Sequence, residues 1–159
     1  MHVVLVAPRI PQNTGNVARL CAATNSALHL VRPLGFRLDD RAVRRAGLDY
    51  WQYVTVHVHR SFDELTQAYQ NHSFYFATKQ GKILYSDVRY TPDDFLVFGS
   101  ETHGLPAALL EANRARTIRV PILNPAVRSL NLATTVAITL YEALRQLGHD
   151  AATYVRNKA

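Results

Sequence analysis

Residues 119–148 read RVPILNPAVRSLNLATTVAITLYEALRQLG, and strand, loop and helix behaviour follow one another inside that stretch. Residues 117–121 are largely β-branched or apolar up to Pro121 and predict a short strand. Pro121 and Pro125 interrupt regular structure and make a loop. From there Leu132, Val136, Leu140, Leu144 and Leu147 recur every three or four positions, which lines up one face of a long helix. Ala133, Thr134 and Ala137 are small and let another backbone approach its first two turns. Asn131 or Ser129 caps its start by accepting from an orphan N–H, and Gly148 ends it in a left-handed conformation. Residues 128–132 alternate polar and apolar side chains where the helix opens, and a helix N-terminus offers free amide donors to a ligand. An ordinary capped core helix is the other reading of the same residues.

The rest of the chain repeats this alternation. Strands are predicted over 3–7, 28–31, 54–58, 74–77 and 95–98, and helices over 17–24 and 105–112. Asp39 and Asp40 cap a further helix bearing Arg41, Arg44, Arg45 and Leu48. Ser61-x-x-Glu64 is a capping box that opens another, running to about residue 71. Residues 10–16 read as a loop. Strands alternating with helices predict an α/β fold, a mostly parallel sheet with helices on both faces, as one domain over 1–159 whose polar end, 149–159, frays.

Composition narrows the function. Charged residues are only 19% of the chain, yet no run approaches the ~18 apolar residues of a membrane span. The first ten residues lack a basic leader and read as a buried strand rather than a secretory signal. A lone Cys21 among apolar neighbours fits core filling in a reduced, cytoplasmic protein. A net charge of +6 favours an anionic partner, of which nucleic acid is the commonest.

Ligands of such sheets bind beyond the carboxyl ends of the strands, and three unusual segments fall there. Asn13-x-Gly15-Asn16-x-x-Arg19 follows the first strand, FGSETHGL (98–105) overlaps the end of the fifth, and residues 121–132 follow the last. No G-x-G-x-x-G follows the first strand and no G-x-x-x-x-G-K-[ST] occurs, which argues against dinucleotide and P-loop sites. His57 and His59 face one side of a strand, but no further ligands stand at metal-binding spacing, so a solvated strand edge is the reading and no metal is expected. Ser129, His103 and Glu101 lack the G-x-S-x-G elbow of a nucleophilic triad. Gly99 and Gly104 bracket Glu101, the sole carboxylate of its loop, either as a solvated turn or for close backbone approach. Arg41, Arg44 and Arg45 share a helix face that is either solvated or aimed at phosphates. Tyr50, Trp51 and Tyr53 offer either a stacking surface for a base or core packing.

Taken together, residues 13–19 (NTGNVAR), 98–105 (FGSETHGL) and 128–133 (RSLNLA) resemble the three ordered motifs of the SPOUT superfamily, within its ribose 2′-O-methyltransferase branch. Residues 28–36 (LHLVRPLGF) and 45–51 (RAGLDYW) are similar to the members that act on nucleotide 34 of tRNA, and the likeness spans about 2–150. The resemblance implies an α/β knot, with a C-terminal trefoil knot formed as the chain from about Ala77 to the final helix threads a loop. It implies S-adenosyl-L-methionine in a pocket of Ala77, Thr78, Gly99, Glu101, Val120, Ile122, Ser129 and Leu130. It further implies a homodimer built through the first and last helices, with a site completed by the partner subunit. Arg19, oriented by Asn16, would hold a phosphate and stabilise the developing alkoxide, Tyr141 would stand near the site, and Arg41, Arg44 and Arg45 would contact the tRNA. Two other readings stay open: methylation of another RNA position, and an RNA-binding protein of this fold without catalysis.

Overall fold

Four consecutive fully or nearly fully buried residues, Val3 to Val6, make the first strand apolar on both sides, as expected where helices cover both faces of a parallel sheet. In the computed structural model, which describes residues 1–38 and 48–148, this strand β1 (His2–Val6) is followed by α1 (Pro11–Ala23), β2 (Ala27–Val31), a 3₁₀ turn (Leu48–Tyr53) and β3 (Val56–His59). Then come α2 (Phe62–Ala68), β4 (Phe74–Ala77), β5 (Ile83–Leu84), β6 (Phe95–Phe98), α3 (Ala107–Ala112), β7 (Thr117–Arg119) and α4 (Leu132–Gln146). The strands form one sheet in the order β3-β2-β1-β6-β4-β7-β5, and every pairing is parallel.

Alternate residues of each strand serve two cores. Val3, Leu5, Leu28, Leu30, Leu96 and Phe98 pack with Val17, Ala18 and Cys21 of α1 and with Val136, Leu140 and Leu144 of α4. Val4, Val6, Val31, Phe76, Phe95 and Val97 pack on the other face with Leu65 of α2 and Leu109 and Leu110 of α3. Each large side chain removed from water contributes about 1.5–3 kcal/mol. The sheet reverses direction of growth at β1: β2 and β3 extend to one side, and β6, β4, β7 and β5 to the other. The crevice beyond β1 and β6 is therefore the topological switch point, where open parallel sheets bind ligands.

Several elements depart from the sequence reading, among them the strand expected over 54–58, which runs Val56–His59, and the helix expected to about residue 71, which ends at Ala68. Helix α1 begins at Pro11, so Asn13, Thr14, Gly15 and Asn16 form its first turns instead of a loop. Proline fits there because its fixed φ is helical and its missing N–H would have had no partner. Strand β5 has two residues, too few to show a period, and adds to the sheet edge beside β7. Helix α3 starts only after Pro106. The helix expected around Arg41, Arg44 and Arg45 and the tail 149–159 lie outside the described residues.

Candidate functional site

Beyond β1 the chain turns at Ala7 and Pro8 and enters α1, and this corner is fastened to the turn after β6 by one side chain. Glu101 Oε2 accepts from the Arg9 N–H at 2.8 Å, and its Oε1 accepts from the Ile10 N–H and from Asn13 Nδ2, both at 3.1 Å. Hydrogen bonds to an ionised carboxylate are roughly twice as strong as neutral ones. Asn13 in turn accepts on its Oδ1 from Asn131 Nδ2 at 3.0 Å, while Asn131 Oδ1 caps α4 by accepting from the Thr134 N–H at 3.3 Å. The three segments singled out in the sequence thus meet through Glu101, Asn13 and Asn131. Of the two candidate caps, Asn131 is the one used.

The turn that presents Glu101 needs its glycines. Ser100 and Gly104 bridge each other's backbones, Gly104 holds φ at +69°, and a Cβ on Gly99 would overlap the backbone of Gly104 and Leu105. A second close approach lies beside β7. A Cβ on Gly81 would strike the Ile118 backbone, and Arg119 Nη1 donates to the carbonyls of Gly81 and Lys82 at 2.6 and 2.9 Å. The Thr78 N–H donates to the Ile118 carbonyl at 2.9 Å, so the segment between β4 and β5 lies against β7.

These turns enclose a cavity of about 770 Å³ at the carboxyl ends of the strands, within the range that takes nucleoside-sized ligands. Ala77, Thr78, Gly99, Glu101, Val120, Ile122, Ser129 and Leu130 all line it. So do Lys79, Phe98, His103, Leu105 and Arg128, which the sequence reading did not include in the pocket; their adjacency to the chosen residues was the one signal available. Among the described residues Glu101 is the only carboxylate in the lining, and Lys79 and Arg128 supply positive charge.

The structure does not bring every candidate to this cavity. Arg19, Asn16 and Tyr141 do not line it. Arg19 is exposed two turns along α1 from Asn13, and it is not hydrogen-bonded to Asn16; its guanidinium lies over the ring of Tyr50, 4.7 Å from the centroid. Tyr141 is 56% exposed on α4. Trp51 packs against the core, whereas Tyr53 is exposed.

His59 corrects the reading of a solvated strand edge. It is buried, and its Nε2 shares a hydrogen bond with His29 Nδ1 at 3.0 Å, while His29 Nε2 shares another with His2 Nδ1 at 3.0 Å. Strand register aligns these rings on one face, and Phe95 stacks on His2 at 4.2 Å with Tyr69 alongside. Burial pushes His29 down to about 2 and His2 down to about 4, and lowers His59 as well. Among the described residues no group of three or more His, Cys, Asp or Glu is arranged to hold a metal ion.

Known proteins match both the sequence and this arrangement. A tRNA (cytidine(34)-2′-O)-methyltransferase from Burkholderia cenocepacia is 51% identical over 154 residues, covering 94% of this chain and 97% of its own. A solved structure bearing on 2-OH methylation of C/U34 on tRNA superposes with a TM-score of 0.88 at 43% identity, over 94% of this chain and 97% of that one. The methyltransferase AviRb from Streptomyces viridochromogenes, solved with AdoMet, shares the fold at a TM-score of 0.85 and 22% identity, over 94% of this chain and 61% of its own. Residues 1–141 match the SpoU rRNA Methylase family, and with relatives this similar over nearly its whole length the chain belongs to that family of RNA methyltransferases.

Proposed function

We propose that the chain transfers a methyl group from S-adenosyl-L-methionine to the ribose 2′-hydroxyl of nucleotide 34, a cytidine or uridine, of tRNA. The observation that carries this reading is the Asn131–Asn13–Glu101 bridge, which gathers the three motif segments around one cavity. The relatives that act on this nucleotide support the substrate. The bound cofactor would supply an electrophilic methyl group on a sulfonium. The cavity suits it in size and chemistry: Ala77, Val120, Ile122 and Leu130 give an apolar slot for an adenine, Thr78 and Ser129 give polar edges, and Gly99 lets backbone stand at the wall. Glu101 offers the one negative charge among the lining residues to a cationic ligand.

A ribose hydroxyl is a weak nucleophile until its proton leaves or its growing negative charge is met. A guanidinium is no proton acceptor, so Arg19 serves as an electrostatic partner, holding the adjacent phosphate and stabilising the alkoxide while that phosphate takes the proton. Arg19 and Tyr141 are exposed and stand outside their own chain's cavity, and Leu123 (94% exposed) and Val127 leave further apolar surface uncovered. A homodimer through α1 and α4 would bring Arg19, Asn16 and Tyr141 to the cavity of the other copy. Arg41, Arg44 and Arg45 would contact tRNA phosphates, in line with the net charge of +6. The chain between β4 and α4 would thread as a trefoil knot. No helix among the described residues is long and apolar enough to cross a membrane, and we place the enzyme in the cytoplasm with its RNA.

Nucleoside mass spectrometry on tRNA from a deletion strain tests the reading. Loss of the 2′-O-methyl mark at position 34, restored by the wild-type chain, is expected. Loss of a mark at another position, or no loss, would overturn the substrate assignment.

A further inference from the structure

Arg19 sits in a helix with no acidic residue: α1 reads PQNTGNVARLCAA. Among the described residues its guanidinium makes no hydrogen bond and no ion pair, and what it rests on is the face of Tyr50 at 4.7 Å. The ring belongs to the 3₁₀ turn Leu48–Tyr53, and that turn is anchored by its neighbour Trp51, which packs against the core shared by α1 and α4. Tyr50 itself is 39% exposed, so hydrophobic burial accounts for only part of its placement.

An aromatic face and a carboxylate hold an arginine in different ways. A carboxylate takes the in-plane N–H donors and neutralises the charge. A ring takes the flat face and leaves both the charge and the N–H edge available. Only the second arrangement fixes the rotamer of a long, flexible side chain and still leaves it able to receive a phosphate and an alkoxide. We infer that Tyr50 is a positioning residue for Arg19, and that the 4.7 Å stack holds the guanidinium face so that its N–H edge meets the RNA backbone. The inference rests on the role proposed above for Arg19. Tyr50 acts through that side chain and is not a base-stacking residue.

Steady-state methyl transfer to tRNA tests it with Tyr50→Leu, Tyr50→Phe, Arg19→Ala and the double variant Tyr50→Leu/Arg19→Ala. Tyr50→Leu is expected to lower kcat about 3- to 30-fold, the range of a cation–π contact, with KM for tRNA and the affinity for S-adenosyl-L-methionine unchanged. Tyr50→Phe keeps the ring and is expected to stay within about twofold of wild type. Tyr50→Gln, polar at a partly exposed position, carries the same expectation as Tyr50→Leu and serves if the leucine variant melts early. In the Arg19→Ala background, Tyr50→Leu should cost nothing more. A normal kcat in Tyr50→Leu, a loss confined to KM for tRNA, or a loss undiminished in the double variant would overturn the inference while leaving Arg19 in place. Wild-type turnover in Arg19→Ala would instead overturn the role of Arg19 itself, and Tyr50 would fall with it.

Discussion

Two polar chains cross this molecule, each of three residues from distant parts of the sequence, and they obey opposite rules. Asn131–Asn13–Glu101 lies beside the cavity, on the rim where strands give way to turns. His2–His29–His59 lies across β1, β2 and β3 under Tyr69 and Phe95, with His29 fully buried. In the first chain the donors are amide N–H groups and the acceptors are the Asn13 amide oxygen and the Glu101 carboxylate, so every hydrogen-bond role is fixed. In the second each imidazole must choose a tautomer that suits its neighbour, and burial keeps all three neutral. A polar chain at the water-facing end of the sheet can carry formal charge and serve a ligand. A similar chain enclosed by aromatic rings holds strands together only as long as no proton is added.

Breaking the open chain should produce the larger effect on function. Glu101→Ala leaves the Arg9 and Ile10 N–H groups and Asn13 Nδ2 without their acceptor, which costs about 2 kcal/mol of stability where water replaces the carboxylate only in part. Because the same bonds set the cavity wall, its affinity for S-adenosyl-L-methionine should fall at least about tenfold, measured by calorimetry on the folded variant. Unchanged affinity would separate the bridge from the cavity.

The enclosed chain is best broken with acid. The folded-state values of His2 and His29 lie below the ordinary 6.5, so its full stability is present above pH 6.5. Below that, the unfolded chain takes up protons that the folded one refuses. Stability is lost down to about pH 4 for His2 and further for His29, at about 1.4 kcal/mol per pH unit for each imidazole at most. Urea midpoints taken from pH 7 to 4.5 should show this slope, and His29→Phe should flatten it. Asn13→Ser, which removes an amide that does not titrate, should lower the midpoints without changing the slope. The smallest effect is expected at Cys21, whose thiol burial pushes up to about 12. Iodoacetamide at pH 8 should leave it unlabelled in the native protein and label it fully in urea; native labelling would show that α1 opens.

The sequence made some of this legible and hid the rest for identifiable reasons. Val136, Leu140 and Leu144 repeat at helical spacing and are buried, because a helix face is a local property. Residues 13–16 looked like a turn because Asn and Gly favour turns, yet Pro11 had already set the helix. Strand β5 exists through its partner β7 and has no pattern of its own. The motif segments located the cavity walls well, since all eight pocket residues line it. They left Arg19, Asn16 and Tyr141 outside, because motif order says which segments matter and not which of their side chains reach the cavity. The spacing of His57 and His59 gave a shared face, but only strand pairing could bring His59 to His29 and His29 to His2, each two positions from direct register.

The hydrogen bond from Asn131 to Asn13 spans 118 positions, and it joins the beginning of the chain to its last helix. Synthesis runs from the first residue to the last, so the sheet's early strands leave the ribosome well before the segment that finishes the cavity wall. A nascent chain stalled before residue 128 therefore lacks both this hydrogen bond and the Arg128–Leu132 stretch of the cavity wall.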